Sequence, residues 1–203
     1  MAGKRFESSE RKQQIIKAAT KLFSGYGYEK VTMSMLAKAC RITEPALYRY
    51  FSSKNNIYNE VLLSLSRKVD ISSLADRVQA SIDIELILND IARHILKRNV
   101  KNSELTRLLL FSSLEHQSMA HQVFSMVRLP YIELLARELR RLREQELIMN
   151  VDPVITARCF VGMFMDCAVS RNLWGKIQGD QFHIDEIIDN NVPIFVRGLK
   201  NDQ

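Results

Sequence analysis

Thr43, Glu44, Tyr48, Arg49 and Lys54 fall within twelve residues of one another. Together they offer an aliphatic and a phenolic hydroxyl, a carboxylate, a guanidinium and an ammonium group. Hydroxyl and ammonium groups suit phosphate oxygens, which hold a nucleic-acid backbone in register without reading its sequence. Thr43, Tyr48 and Lys54 are therefore candidate phosphate contacts, with Thr32 and Tyr50 assisting. Arg49 and Glu44 carry the groups that pair with the edges of guanine and cytosine, and Pro45 and Ala46 are small and apolar enough to meet a thymine methyl.

Two short helices and a tight corner are needed to hold these side chains. In TMSMLAKACRITEPALYRYFSSK, Thr32 to Lys54, the residues Met35, Leu36 and Ala39 form the apolar stripe of one helix, and Leu47 and Phe51 that of the next. Phe51 falls about 40° from Leu47 around a helix, whereas Pro45, Tyr48, Arg49 and Ser52 project to the sides and back. Thr43 is placed to cap the second helix, Glu44 favours its positive end, and Pro45 sits in the first turn, where a missing amide hydrogen costs little. Ser52 or Ser53 caps a further helix opening at Lys54, whose charge opposes the helix dipole and suits a site for an anion. A unit of this kind places one helix in the major groove of DNA.

This run resembles the DNA-binding signature of the tetracycline-repressor (TetR) family of one-component bacterial transcription regulators. The matching pieces are LFSGYGYEKVTM, LAKACRIT and EPALYRYFSSKNNIY, with Phe23, Gly27, Thr32, Ala37, Leu47, Tyr48, Phe51 and Lys54 agreeing in order and spacing. The resemblance implies an all-α fold: an N-terminal three-helix helix-turn-helix DNA-binding domain, residues 1–55, and a C-terminal helical effector-binding and dimerisation domain, residues 56–203. It also implies that Thr32 lies near a phosphate. The family usually has glycine where this chain has Arg41; a left-handed arginine there costs about 1 kcal/mol relative to glycine, part of which a phosphate contact would recover. Asn55 and Asn56 stand where relatives commonly carry an acidic pair, which keeps the local field positive.

The 203-residue chain holds 29 Lys and Arg against 23 Asp and Glu. Residues 1–60 carry 11 of the basic and 5 of the acidic residues, so the whole surplus sits in the first third. A basic module on a neutral body is the electrostatic footprint of a nucleic-acid binder. Cys40, Cys159 and Cys167 show no paired-cysteine spacing, so buried thiols are expected rather than a metal site, and no cofactor. Nothing resembles a secretory leader or a continuous apolar span of membrane length, and a cytoplasmic protein, nucleoid-associated when bound to DNA, is expected. The histidines are scattered, and no HExxH, phosphate-cradling glycine loop or nucleophile signature occurs, so an enzyme is not expected.

In chain order, residues 1–8 read as a disordered basic arm, and Ser9 to Ser24 as a helix with Ile15, Ile16, Ala19, Leu22 and Phe23 on one stripe, ended by Gly25 and Gly27. A helix continues from Ile57 to Val69, 70–82 reads as a helix break or mobile connection, Ile84 to Leu96 as an amphipathic helix and 99–102 as a loop, after which Ser103 and Glu104 start another helix. The helix from about Pro130 to Gln145 has a solvated face, with Arg137, Arg140, Arg141 and Arg143 balanced by Glu133, Glu138, Glu144 and Glu146. Asp152 and Pro153 start a helix, Val154 to about Trp174, that is apolar nearly all round. The last, Ile184 to Leu199, is bent or broken at Pro193.

A helix apolar on most sides calls for a partner, and the resemblance implies that the last two long helices pair with those of a second copy. Val161, Met165, Ala168, Ile188 and Phe195 are the candidate contacts. An effector pocket inside the C-terminal bundle is a further implication, with Phe111, Met119, Phe124, Tyr131, Phe164 and Trp174 as apolar lining and His116 as a polar group; residue by residue, core packing and internal hydrogen bonding are the favoured readings. The expectation is a homodimeric, ligand-responsive regulator, a repressor, that binds a palindromic operator and is released by a small apolar effector. The alternative is a helical dimeric protein-interaction adaptor without specific operator binding, which leaves the localised charge unexplained.

Overall fold

A computed structural model describes residues 2–66, 71–100, 104, 106–108, 110–111, 121, 124–173 and 182–200, and the regular structure among them is helical throughout. The chain forms two compact units, Met1–Lys68 with Glu104–Phe124, and Val69–Ser103 with Ser125–Gln203. The division therefore does not fall at residue 55. Ile57, Val61 and Leu65 are buried and their helix packs on the first one, so it belongs to the N-terminal unit.

The first unit contains α1 (Ala2–Tyr26), α2 (Met33–Ala39), α3 (Glu44–Tyr48) and α4 (Lys54–Ser66). α1 starts at Ala2, not near Ser9, so residues 2–8 are helical and not a disordered arm. The stretch contains no proline, and extending a helix already nucleated costs far less than starting one. α1 ends where Gly27, at φ 81°, donates its amide hydrogen to the Phe23 carbonyl at 3.0 Å. Phe23 is fully buried, edge-on to Tyr58 at 5.1 Å and stacked with Tyr28 at 5.9 Å.

The corner after α2 closes through two hydrogen bonds, Arg41 N to the Lys38 carbonyl at 3.1 Å and Ile42 N to the Ala37 carbonyl at 3.0 Å. This pairing terminates a helix with a left-handed residue, and Arg41 takes that position at φ 55°. Arg11 braces the same corner by donating from Nη2 to the Cys40 carbonyl at 3.5 Å. Arg41→Gly is expected to raise unfolding stability by about 1 kcal/mol, because glycine removes the Cβ penalty. Urea denaturation checks this; an unchanged or lower midpoint would contradict it.

The second unit contains α5 (Ser72–Gln79), α6 (Ile84–Val100), α7 (Leu129–Glu144), α8 (Pro153–Leu173) and α9 (Ile184–Leu199). α5 replaces most of the expected break at 70–82: Leu74 and Val78, four apart, are buried and hold it on α6. Asn99 and Val100 extend α6 into the expected loop. α7 follows a π-helical turn, Phe124–Arg128, which nothing in the hydrophobic pattern announced. Glu138 is not on a solvated face. It is 1% exposed and accepts from Arg137 Nε at 3.2 Å and Arg141 Nε at 2.8 Å, while Arg141 Nη2 donates to the Ser81 carbonyl at 2.6 Å. A buried carboxylate has to be paired in this way.

α8 packs on α6 and α7, and α9 on α6. The Asp152 carboxylate caps α8, accepting from the amides of Val154 at 2.9 Å and Ile155 at 2.8 Å. Pro193 neither ends nor breaks α9, since Val192 and Val196 are buried on either side and keep the helix seated. An ion pair between Arg93 and Asp185 joins α6 to α9, and this neighbour holds the Asp185 carboxyl below the usual carboxylate range. By length and composition α8 reaches membrane-spanning size over Pro153–Arg171, a test that a core helix also passes, and it packs on α6 and α7. Of the thiols, Cys40 and Cys167 are half-buried, whereas Cys159 is exposed and not a core residue.

Candidate nucleic-acid interface

α3 is positioned by its two neighbours and by its own ends. Thr43 caps it through a hydrogen bond from the Ala46 amide to Oγ1 at 3.3 Å, and Thr32 caps α2 in the same way from Met35 at 3.2 Å. Leu47 is fully buried and pins the helix to the core. α3 ends at Tyr48, with Arg49 as its C-cap, so Phe51 is not part of its stripe. Phe51 is nonetheless 6% exposed, folded inward by the turn in which the amides of Tyr50 and Phe51 both donate to the Leu47 carbonyl. Helical periodicity placed its burial correctly for the wrong reason.

The outward face carries the polar groups. Tyr48 is 50% exposed although aromatic, and Thr32, Arg41, Thr43, Pro45 and Arg49 are exposed too. Glu44, Ala46, Tyr50 and Lys54 are half-buried. Ser53, not Ser52, caps α4, accepting from the Asn56 amide at 3.2 Å. Lys54 has a partner within the head: its Nζ donates to the Tyr28 carbonyl at 3.0 Å and lies 4.1 Å from the Tyr28 ring centroid. Its charge thus tethers the turn after α1 to the start of α4.

Beside the end of α3 lies a cleft of about 550 Å³, where Tyr48, Arg49 and Tyr50 share walls with Lys12, Ser52 and Asn56. Lys12 sits 5.8 Å from the Phe51 ring centroid. Its place on the polar side of α1 gave no hint of this, because only the folded turn brings Phe51 beneath it.

This arrangement defines a class, a helix-turn-helix reader in a chain whose net positive charge lies in its first third. Residues 15–61 match the model for bacterial regulatory proteins of the tetR family. The nucleoid occlusion factor SlmA of Haemophilus influenzae is 32% identical over 170 residues, covering 77% of this chain and 74% of that protein. The HTH-type transcriptional regulator YuxN of Bacillus subtilis is 27% identical over 212 residues, 96% of this chain and 66% of that one. Among solved structures, a TetR-family transcriptional regulator from Mesorhizobium loti superposes with a TM-score of 0.72 at 20% identity, covering 96% and 98% of the two chains. AibR in complex with isovaleryl coenzyme A and operator DNA gives 0.63 at 22% identity, covering 91% and 97%. The chain belongs to the TetR family and is a DNA-binding transcriptional regulator. That membership places it with regulators rather than enzymes.

The other expected sites are placed differently. Val161, Met165, Ala168 and Ile188 are at most 2% exposed within their own unit, so they have no surface to offer a second copy. Phe195 is half-buried and packs edge-on against Phe160 at 5.0 Å. Of the effector candidates, Phe111 and Phe124 belong to the first unit, while Tyr131 and Phe164 are fully buried core residues of the second. His116, Met119 and Trp174 lie outside the described residues. Tyr131 also bonds His94 Nδ1 at 2.8 Å, a polar contact in the α6–α7 interface that no spacing in the sequence signalled. Burial pushes the Tyr131 phenol well upward, so it stays protonated and can act as a donor.

Proposed function

We propose that this regulator is a homodimeric repressor, acting in the cytoplasm on the nucleoid, that binds a two-fold-symmetric operator through α3 and leaves it when a small molecule binds. The observation that carries the DNA part is the exposed set Thr43, Pro45, Tyr48 and Arg49, presented on a helix whose opposite side is pinned by buried Leu47. Thr32, Thr43, Tyr48 and Tyr50 hold the backbone, with Arg41 and Lys54 adding positive charge, and Glu44, Pro45, Ala46 and Arg49 meet base edges. Two such heads related by a two-fold axis match half-sites one helical turn or a multiple apart. Regulators of this family are dimeric and ligand-binding, and AibR, of the same fold, was solved with an acyl coenzyme A and its operator. A ligand releases DNA only if it binds the form with misaligned heads more tightly. A mobility-shift titration on the DNA upstream of the gene, repeated with acyl thioesters and apolar drugs, tests both halves. Binding with no response to any ligand would sink the ligand half alone.

A second reading is nucleoid occlusion, favoured by the likeness to SlmA, which extends well beyond the reader head. It differs in outcome: binding sites spread over the chromosome, against a few beside promoters. Chromatin mapping separates the two.

A further inference from the structure

α1 and α4 pack on each other, and the pairs Ile15 with Ala19 and Ile57 with Val61, each four apart and fully buried, fix how the two helices are turned. That orientation leaves Lys12 exposed on α1, and Ser52 and Asn56 exposed around the start of α4. All three line the cleft of about 550 Å³ beside the end of α3, together with Tyr48, Arg49 and Tyr50. The reading helix and α1 therefore share one recess.

The groups that α1 and α4 bring to it are donors. The Lys12 ammonium lies 5.8 Å from the Phe51 ring centroid and enters no ion pair among the described residues. A ring face attracts a cation without occupying its hydrogens, so the N–H groups of Lys12 stay available. Asn56 Nδ2 donates to Ser52 Oγ at 2.5 Å, which leaves the serine's own hydrogen to donate elsewhere. Two acceptors belong to the same lining: Asn59, whose Oδ1 is buried without a hydrogen-bond partner, and the exposed Glu60. The other lysines of α1 stand apart. Lys17 is about 140° from Lys12 around the helix, and it and Lys21 line a separate cleft of about 450 Å³.

A compact ammonium beside hydroxyl groups suits phosphate oxygens. Because Tyr48 and Arg49 line the same cleft, a DNA strand that meets α3 passes Lys12 as well. We propose that this cleft is a further seat for a DNA backbone phosphate, with Lys12 supplying the charge and Ser52 an oriented hydroxyl. Asn59 Oδ1 and the Glu60 carboxylate steady the ammonium from its other side, which also meets the unpaired buried oxygen. The seat rests on the DNA reading above and extends the footprint to a helix other than α2 and α3. It fixes the position of the head and carries no base preference.

Fluorescence anisotropy on the full-length protein across a salt series, with a preferred and a scrambled duplex, reads the seat directly. Lys12→Gln should make the plot of log affinity against log salt shallower by about 1 for each head bound, equally on both duplexes. Lys12→Arg should keep the wild-type slope. Ser52→Ala should weaken binding several-fold at an unchanged slope, since it removes a donor and no charge. Lys17→Gln loses the same charge at the other cleft and should change the slope much less. A Lys12→Gln slope equal to that of the wild type, or matched by Lys17→Gln, would overturn the seat. That includes the case in which Lys12 only braces Phe51, where the thermal midpoint falls and the slope does not. The α3 reading stands or falls separately, on Tyr48→Ala and Arg49→Ala, and folded wild type that binds neither duplex would overturn both. Thermal unfolding in inorganic phosphate against chloride at matched ionic strength separates the two sources of phosphate. Equal midpoints are expected; a stabilisation by phosphate that Lys12→Gln abolishes would make this a site for the free anion and overturn the DNA assignment.

Discussion

Replacing Arg49 by alanine is expected to lower affinity for the preferred duplex far more than for a scrambled one. Arg49 is exposed at the end of α3, and the Thr43 cap and buried Leu47 set the direction in which it leaves the head. A bidentate arginine–guanine contact is worth about 1–3 kcal/mol against the wrong base, and a dimer loses it twice, so the preferred duplex weakens by about 2–6 kcal/mol. Tyr48→Ala acts otherwise. A phenol on a phosphate carries no sequence information, so specific and nonspecific affinity fall together and the ratio between them is kept. Fluorescence anisotropy on the two duplexes, run at several salt concentrations, checks the pair. The assignment fails if Tyr48→Ala alters preference and Arg49→Ala does not, or if both keep wild-type affinity.

Phe23→Ala should have the largest effect on stability. Phe23 is fully buried, and its ring meets both Tyr58 and Tyr28, the residue to which Lys54 is tethered. Truncating such a ring costs about 3–5 kcal/mol. Whole domains are stable by only about 5–15 kcal/mol, so the head would lose much of its margin and DNA binding would go with it. Phe23→Leu, closer in volume, should lose markedly less and keep DNA binding. Thermal unfolding followed by circular dichroism decides this. A Phe23→Ala variant as stable as the wild type would mean that the aromatic cluster does not hold the head together.

The head was legible in the sequence because its signals are local. The Thr32 and Thr43 caps, the glycine after α1 and the Asp152–Pro153 start of α8 each act within a turn, and the structure shows all of them. Arg41 was legible for the same reason: a left-handed helix end is a property of one residue. What depended on distant neighbours was not. Glu138 looks like any surface glutamate on a charged helix, and only Arg137, Arg141 and the chain near Ser81 make its burial tolerable. Lys54 carries a charge suited to phosphate, but the carbonyl and ring of Tyr28 reach it first. The candidate pairing contacts were chosen by equating apolar character with availability, and Val161, Met165, Ala168 and Ile188 are buried within their own unit. On α8 Phe160, Val161, Phe164 and Met165 face inward, whereas Val154 and Ile155 are exposed along with Arg158 and Asp166.

The central claim, that α3 of this chain reads a two-fold-symmetric DNA sequence, is tested most directly by selecting bound duplexes from a random pool with the full-length protein. Enrichment of one motif with inverted half-sites about one helical turn or a multiple apart, abolished by Arg49→Ala together with Tyr48→Ala, is the predicted result. Recovery of no enriched motif by folded wild-type protein, or recovery of the same motif by the double variant, would contradict it.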